Sequence, residues 1–176
     1  MSGAVTVPAG LLDAIAAQAR RDAPREVCGW LAGADGAVRD FYPVPNAARR
    51  PEREFLMEPQ AQIDSLRRIR EAGLTVLGTY HSHPKSPPVP SERDLGLSLY
   101  PELLHLIFSV AYEEFGLWRI TESARRRVAL APEAQDALGL REEKSRTRGA
   151  SGDAKGRQGK LRGRRGGFSR RADPQT

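Results

Sequence analysis

The residues of this chain best equipped for chemistry are His81, His83 and Asp94, in the stretch HSHPKSPPVPSERD. Side chains alternate faces along a β-strand, so His81 and His83 project the same way. Ten residues separate His83 from Asp94, enough for the chain to return a carboxylate to the same spot. Two imidazoles and one carboxylate make a three-ligand set for a divalent transition metal, zinc foremost. Three protein ligands leave a fourth position for water, which marks a catalytic rather than a structural zinc. The chain holds three histidines, and two of them sit here.

Ser91 and Asp94 stand three residues apart, so on one helical turn they share a side. With Asp94 on a metal, the Ser91 hydroxyl lies beside the reacting water or the substrate carbonyl, where it can donate to a developing oxyanion. Between His83 and Ser91 lie Pro84, Pro87, Pro88 and Pro90. They restrict the loop and lower the entropy of holding both halves of the site in register. Metal-assisted hydrolysis also needs a base. Glu26 enters the apolar run EVCGWLAG. Taken alone it is either a solvated end residue or a functional group.

The elements that must position these residues follow from periodicity. Ala4–Val7 reads as an opening strand. Pro8 begins a helix with apolar positions Leu11, Leu12, Ile15, Ala16 and Ala19, ending before Pro24. Val27–Ala32 reads as a buried strand closed by the turn Gly33–Gly36, with Ala37–Val44 as hairpin partner. Phe55–Met57 reads as a short strand. Pro59 opens a second helix with Ile63, Leu66 and Ile69 on one face and Gly73 as its stop. Leu74–His81 reads as a central strand carrying the histidines to its end. Ser91 suits a helix N-cap, with Glu92 and Asp94 in the first turn. Leu103–Ala111 is a strongly apolar strand, and Leu117–Glu122 and Arg127–Leu130 suggest the closing strands of a meander. A mixed sheet flanked by helices is expected, of α/β class.

A length of 176 residues suits one domain with a real core. The charge is lopsided. From Arg141 onward there are 12 Lys/Arg and 4 Asp/Glu, whereas the preceding part is mildly acidic. The pI near 10 is therefore a property of the tail. Residues 1–140 are expected to form the domain and residues 141–176 a disordered, basic, Gly/Arg-rich tail, because apolar residues there nearly vanish. The single Cys28 excludes an intramolecular disulfide and any multi-cysteine zinc site. The N-terminal MSGAVTVPAG has neither a basic n-region nor an apolar h-region, and no stretch approaches a membrane span. A cytoplasmic protein without membrane contact is the expectation.

Together, Glu26 in EVCGWLAG, the His81–Pro84 stretch HSHP, and Ser91 and Asp94 as Ser-x-x-Asp resemble the motif of the JAMM (MPN-plus) zinc metalloproteases. In that family an upstream Glu, a His-x-His-Pro and a Ser-x-x-Asp recur with ten residues between the second His and the Asp. The resemblance extends over residues 4–130 in order and spacing of elements. It implies a single JAMM/MPN domain with a curved mixed sheet, layered like a cytidine deaminase. It implies a zinc isopeptidase or peptidase that releases ubiquitin-like proteins, with zinc on His81, His83 and Asp94. Glu26 would accept a proton from the water and pass it to the leaving amine, and Ser91 would support the oxyanion. The compact body resembles the short bacterial Mec-type members, also in the segment ARRDAPREVCGWLAG. Those act on small β-grasp sulfur-carrier proteins of the ThiS and MoaD type, cut after a terminal Gly-Gly.

Blander readings apply elsewhere. Cys28 lies in an apolar strand with small neighbours and reads as a buried structural thiol. His105, within LLHLIF, reads as a packed residue rather than a fourth ligand. Trp30 and Trp118 read as core or rim residues, and Arg125–Arg127 as a solvated strand end. The tail segment KLRGRRGGFSRR suits weak contact with nucleic acid or another polyanion. Two rival classes follow: a non-catalytic MPN-type binding scaffold, and a nucleic-acid-associated protein acting through its tail. Scaffolds of that type lack some metal ligands, and here none is missing. A zinc deaminase is disfavoured because the Pro-Cys-x-x-Cys ligand pair is absent.

Overall fold

The computed structural model describes residues 4–97, 102–121 and 124–133. The chain divides into two units, Met1–Gly139 and Leu140–Thr176. The tail expected over 141–176 lies outside the described residues.

Eight strands and three helices occur among the described residues: β1 (Val5–Pro8), α1 (Ala9–Asp22), β2 (Cys28–Ala34), β3 (Ala37–Val44), α2 (Pro59–Glu71), β4 (Thr75–His83), α3 (Glu92–Leu97), β5 (Leu104–Ser109), β6 (Glu114–Thr121), β7 (Ala124–Arg127) and β8 (Leu130–Glu133). Six strands form one mixed sheet in the order β3-β2-β4-β5-β6-β7. Its parallel pair is β4–β5, and the other neighbours run antiparallel. Parallel strands need a crossover. Here the crossover carries the proline-rich loop and α3.

Alternation sorts the sheet's two faces. Leu31, Tyr80, Leu106, Phe108 and Leu117 share one face and pack with Leu12, Ile15, Ala16 and Ala19, the apolar stripe of α1. The Tyr80 hydroxyl donates to Gln18 Oε1 at 2.8 Å and ties α1 to the central strand. Cys28, Trp30 and Ala32 face the other way and pack with Met57 and with Ile69 of α2. His81 belongs to this second face, because it lies opposite Cys28 across β2–β4.

The local signals explain the element ends. The β2–β3 hairpin turns at Asp35 and Gly36, both with positive φ, as a two-residue type I′ turn requires. Strand β2 thus runs two residues further than the expected Gly33–Gly36 turn allowed. Helix α2 starts at Pro59, and the Glu58 carboxylate caps it by accepting from the N–H groups of Gln60 and Ala61. It stops at Gly73, where φ is +69°.

Two expectations fail. Phe55–Met57 is no strand: only Met57 bridges, to Asn46. Asn46 occupies the pairing groups, its side chain accepting from the N–H groups of Ala48 and Leu56 and donating to the carbonyls of Glu26 and Glu54. The closing meander also differs. Strand β7 ends at Arg127, and β8 leaves the main sheet to pair in parallel with β1. Val5 and Leu130 are partners there, which covers α1's end of the core with an element from each end of the described chain.

Candidate metal centre

Strand β4 carries both histidines to its C-terminal end, on one face, and both are buried. Helix α3 brings Asp94 to them in its first turn. Ligand atoms of the three residues lie within 4.8 Å of one another. His81 Nε2 stands 3.1 Å from His83 Nε2. Asp94 Oδ1 lies 3.4 Å from His81 Nε2, and Oδ2 lies 3.5 Å from His83 Nε2.

The ring orientations follow from what holds them. His83 Nδ1 donates to the Pro87 carbonyl at 2.9 Å, which fixes the tautomer and leaves Nε2 to face the cluster. His81 Nδ1 is buried with no hydrogen-bond partner among the described residues. Its ring is oriented by stacking on Phe55 instead, at 4.6 Å between centroids. Asp94 is gripped by Ser91. The Ser91 N–H and hydroxyl both donate to Oδ2, at 2.6 and 2.7 Å, and Asp94 N–H donates back to Ser91 Oγ. This is a capping box with aspartate in place of glutamate, and it realises the expected N-cap. The hydroxyl proton is thereby committed to the carboxylate, and Ser91 reaches an oxyanion only by rotating away from Asp94.

The electrostatics suit a cation. Burial opposes ionisation of Asp94, yet His81, His83 and Ser91 together hold its carboxyl well below the usual carboxylate range. Burial pushes the His81 imidazole down. Burial opposes charge on His83 too, but Asp94 and the Pro87 carbonyl hold it above its ordinary value. The 3.1 Å contact between the two Nε2 atoms closes as a hydrogen bond when one of them carries a proton, and a bound cation would take that proton's place. Two neutral imidazoles and one ionised carboxylate are a donor set that fits a divalent transition metal.

Glu26 joins from the segment just before the neighbouring strand β2. Cys28 pairs with His81 in the antiparallel β2–β4 ladder, so two residues earlier Glu26 falls beside His83 on the same face. Ser82 secures that end of the ladder: its N–H donates to the Val27 carbonyl, and its hydroxyl accepts from the Val27 N–H, both at 3.0 Å. Glu26 is only 6% exposed. Burial pushes its carboxyl up to about 7, with His83 pulling down and Asp94 pushing up. Glu26, His83 and Ser91 line one cleft of about 240 Å³, rimmed by Arg53, Lys85 and Ser86. All five residues singled out in the sequence thus meet at one place.

The blander expectations also find their places. Cys28 is fully buried and its thiol donates to the Val44 carbonyl. Burial pushes it up to about 12. His105 is buried, bonded to Thr79 Oγ1 at 3.2 Å, and pushed down to about 4 by burial; it lies outside the ligand cluster. What the sequence reading missed is the support: Phe55 on His81, Ser82 on Val27, and the side chains that hold the proline loop. One signal was available for the last. A loop with four prolines has few N–H donors of its own, so its carbonyls must find donors elsewhere.

Residues 8–121 match the prokaryotic homologues of the JAB domain. The chain belongs to this family. Its resemblance to the JAMM/MPN-plus motif is borne out in fold and family. The JAB domain here is 38% identical over 114 residues to a protein named desampylase from Haloferax volcanii, covering 61% of this chain and 82% of that one. It is 31% identical over 125 residues to the CysO-cysteine peptidase of Mycobacterium tuberculosis, covering 68% and 85%. A solution structure of a protein from Desulfitobacterium hafniense superposes with a TM-score of 0.68 at 30% identity, covering 74% of this chain and 94% of that one. Among the described residues of this JAB domain, no helix is long and apolar enough to cross a membrane.

Proposed function

We propose that this chain is a zinc-dependent isopeptidase or peptidase that hydrolyses the bond after the C-terminal Gly-Gly of a ubiquitin-like or sulfur-carrier protein. One observation carries the reading: His83 of a buried two-histidine, one-aspartate donor set lines one cleft with the buried Glu26. The names of the two relatives, a desampylase and a CysO-cysteine peptidase, support a small conjugated protein as substrate. The complete donor set argues against a non-catalytic scaffold.

His81, His83 and Asp94 would hold the zinc through Nε2, Nε2 and a carboxylate oxygen. When bound, zinc supplies Lewis acidity that polarises the scissile carbonyl and makes water a usable nucleophile at neutral pH. Glu26, with its carboxyl near 7, accepts the proton of the attacking water and passes it to the leaving amine. The Ser91 hydroxyl rotates from Asp94 to support the oxyanion, while the Ser91 N–H keeps its hold on Oδ2. Glycine before the scissile bond lets an extended tail pass close to the metal without crowding. The proposed site of action is the cytoplasm.

The test is a Gly-Gly-ended β-grasp protein, extended by one amino acid or conjugated to a lysine, with cleavage read by intact mass. Gly-Gly should be cut, alanine at the last position should be cut poorly, and a chelator should abolish both. Equal cleavage of unrelated unfolded peptides would instead indicate a general peptidase.

A further inference from the structure

Strand β6 carries none of the candidate ligands, yet it grips the loop that joins them. Four carbonyls of the proline loop accept from side chains on four successive strands. Ser86 O accepts from Ser109 of β5 at 2.7 Å, Pro87 O from His83 of β4 at 2.9 Å, Pro88 O from Trp118 of β6 at 2.8 Å, and Pro90 O from Arg125 of β7 at 2.6 Å. Pro88 and Pro90 are buried, whereas Lys85, Ser86 and Pro87 between them and the histidines are exposed.

The Pro88 contact has a second partner. A Cβ at Gly116 would run into the Pro88 carbonyl oxygen and the Trp118 indole nitrogen. Strand β6 thus makes room for the carbonyl at one position and supplies its donor two residues later, on the same face. A side chain at 116 would push the loop off the sheet. Arg127 lies over the Trp118 ring, 6.0 Å from its centroid, and covers the indole from β7.

We propose that Trp118 is a positioning residue for the metal centre. Its indole N–H, with Gly116 beneath, fixes the loop midway between His83 and Asp94, so that the Pro87 carbonyl meets His83 Nδ1 and Ser91 presents Asp94 to the histidines. This rests on the metallopeptidase reading and adds to it a residue of a strand without ligands. Loss of the N–H frees the loop at its midpoint. Asp94 then arrives less well ordered, and metal binding must do the ordering.

The experiment uses the full chain and zinc itself, with Trp118→Phe, which keeps an aromatic ring and removes the donor together with part of the ring's bulk. Leu117→Val is the control. It loosens the core on the opposite face of the same strand, where Leu117 is 1% exposed. Zinc affinity is measured by chelator competition, and amide exchange of residues 85–95 is followed in metal-free protein. Both variants should lower thermal stability. Only Trp118→Phe should weaken zinc binding, by about 10-fold, the low end for loss of a supporting contact around a metal site, and only it should speed exchange in the loop. Wild-type affinity and exchange in Trp118→Phe would overturn this proposal alone. A wild-type protein that binds no zinc would overturn the metallopeptidase reading and this proposal together.

Discussion

Ser91 holds Asp94 twice, through its backbone N–H at 2.6 Å and its hydroxyl at 2.7 Å, both on Oδ2. The two bonds fail separately, because only one resides in the side chain. Ser91→Ala keeps the N–H and loses the hydroxyl. Zinc affinity should fall by about 10-fold, and turnover by roughly 10²–10³-fold if the hydroxyl also serves as a single oxyanion donor. Chelator competition and steady-state rates check the two effects. Turnover equal to wild type would remove Ser91 from the reaction.

Glu26→Gln should retain zinc and fold but lose turnover by roughly 10²–10⁴-fold, since an amide cannot accept the proton. The same variant makes a stability prediction for metal-free protein. The Glu26 carboxyl titrates near 7 when folded, against an ordinary value of 4.5. Between those values the folded protein keeps a proton that the unfolded chain has released. Stability is therefore lost as pH rises through that window, by about 1.4 kcal/mol per unit at most. Glutamine carries no such penalty. Denaturant unfolding should find Glu26→Gln more stable than wild type at pH 8 and about equal at pH 4.

Elemental analysis of purified protein should find close to one zinc per chain. His81→Ala and Asp94→Ala should each lose it, because two remaining ligands cannot complete a three-ligand catalytic site. A chelator should abolish turnover of the wild type. Zinc bound as tightly by His81→Ala as by wild type would show that the metal sits elsewhere.

A chain ended after Leu140 keeps the pairing of β8 with β1 and every residue of the cleft. It should unfold cooperatively and bind zinc as the full chain does. Polyanion binding by the full chain should fall steeply with added salt and vanish on truncation. Loss of cooperative unfolding on truncation would make the tail part of the domain.

Much of the site was readable because its geometry is local. A strand's alternation puts His81 and His83 on one face whatever the strand packs against, and a helical turn sets Ser91 against Asp94. Helix stops at Gly73 and before Pro24 are local in the same sense. Glu26 is different. Its place beside His83 depends on the register of β2 against β4, where Val27 and Ser82 meet across a sequence separation of 55. A motif could suggest that meeting, but no periodicity of its own segment could. The same holds for Phe55, expected in a strand and found stacked on His81, and for Trp118, which reads as a core or rim residue until its bond to the Pro88 carbonyl is seen. Strand β8 chose β1 over the main sheet for a similar reason: the alternatives offer equivalent backbone hydrogen bonds, and packing against α1 decides between them. The sequence by itself therefore determined which side chains share a face or a turn. The tertiary structure decided which of those faces meet, because hydrogen bonds and packing between distant segments leave no periodic trace in either one.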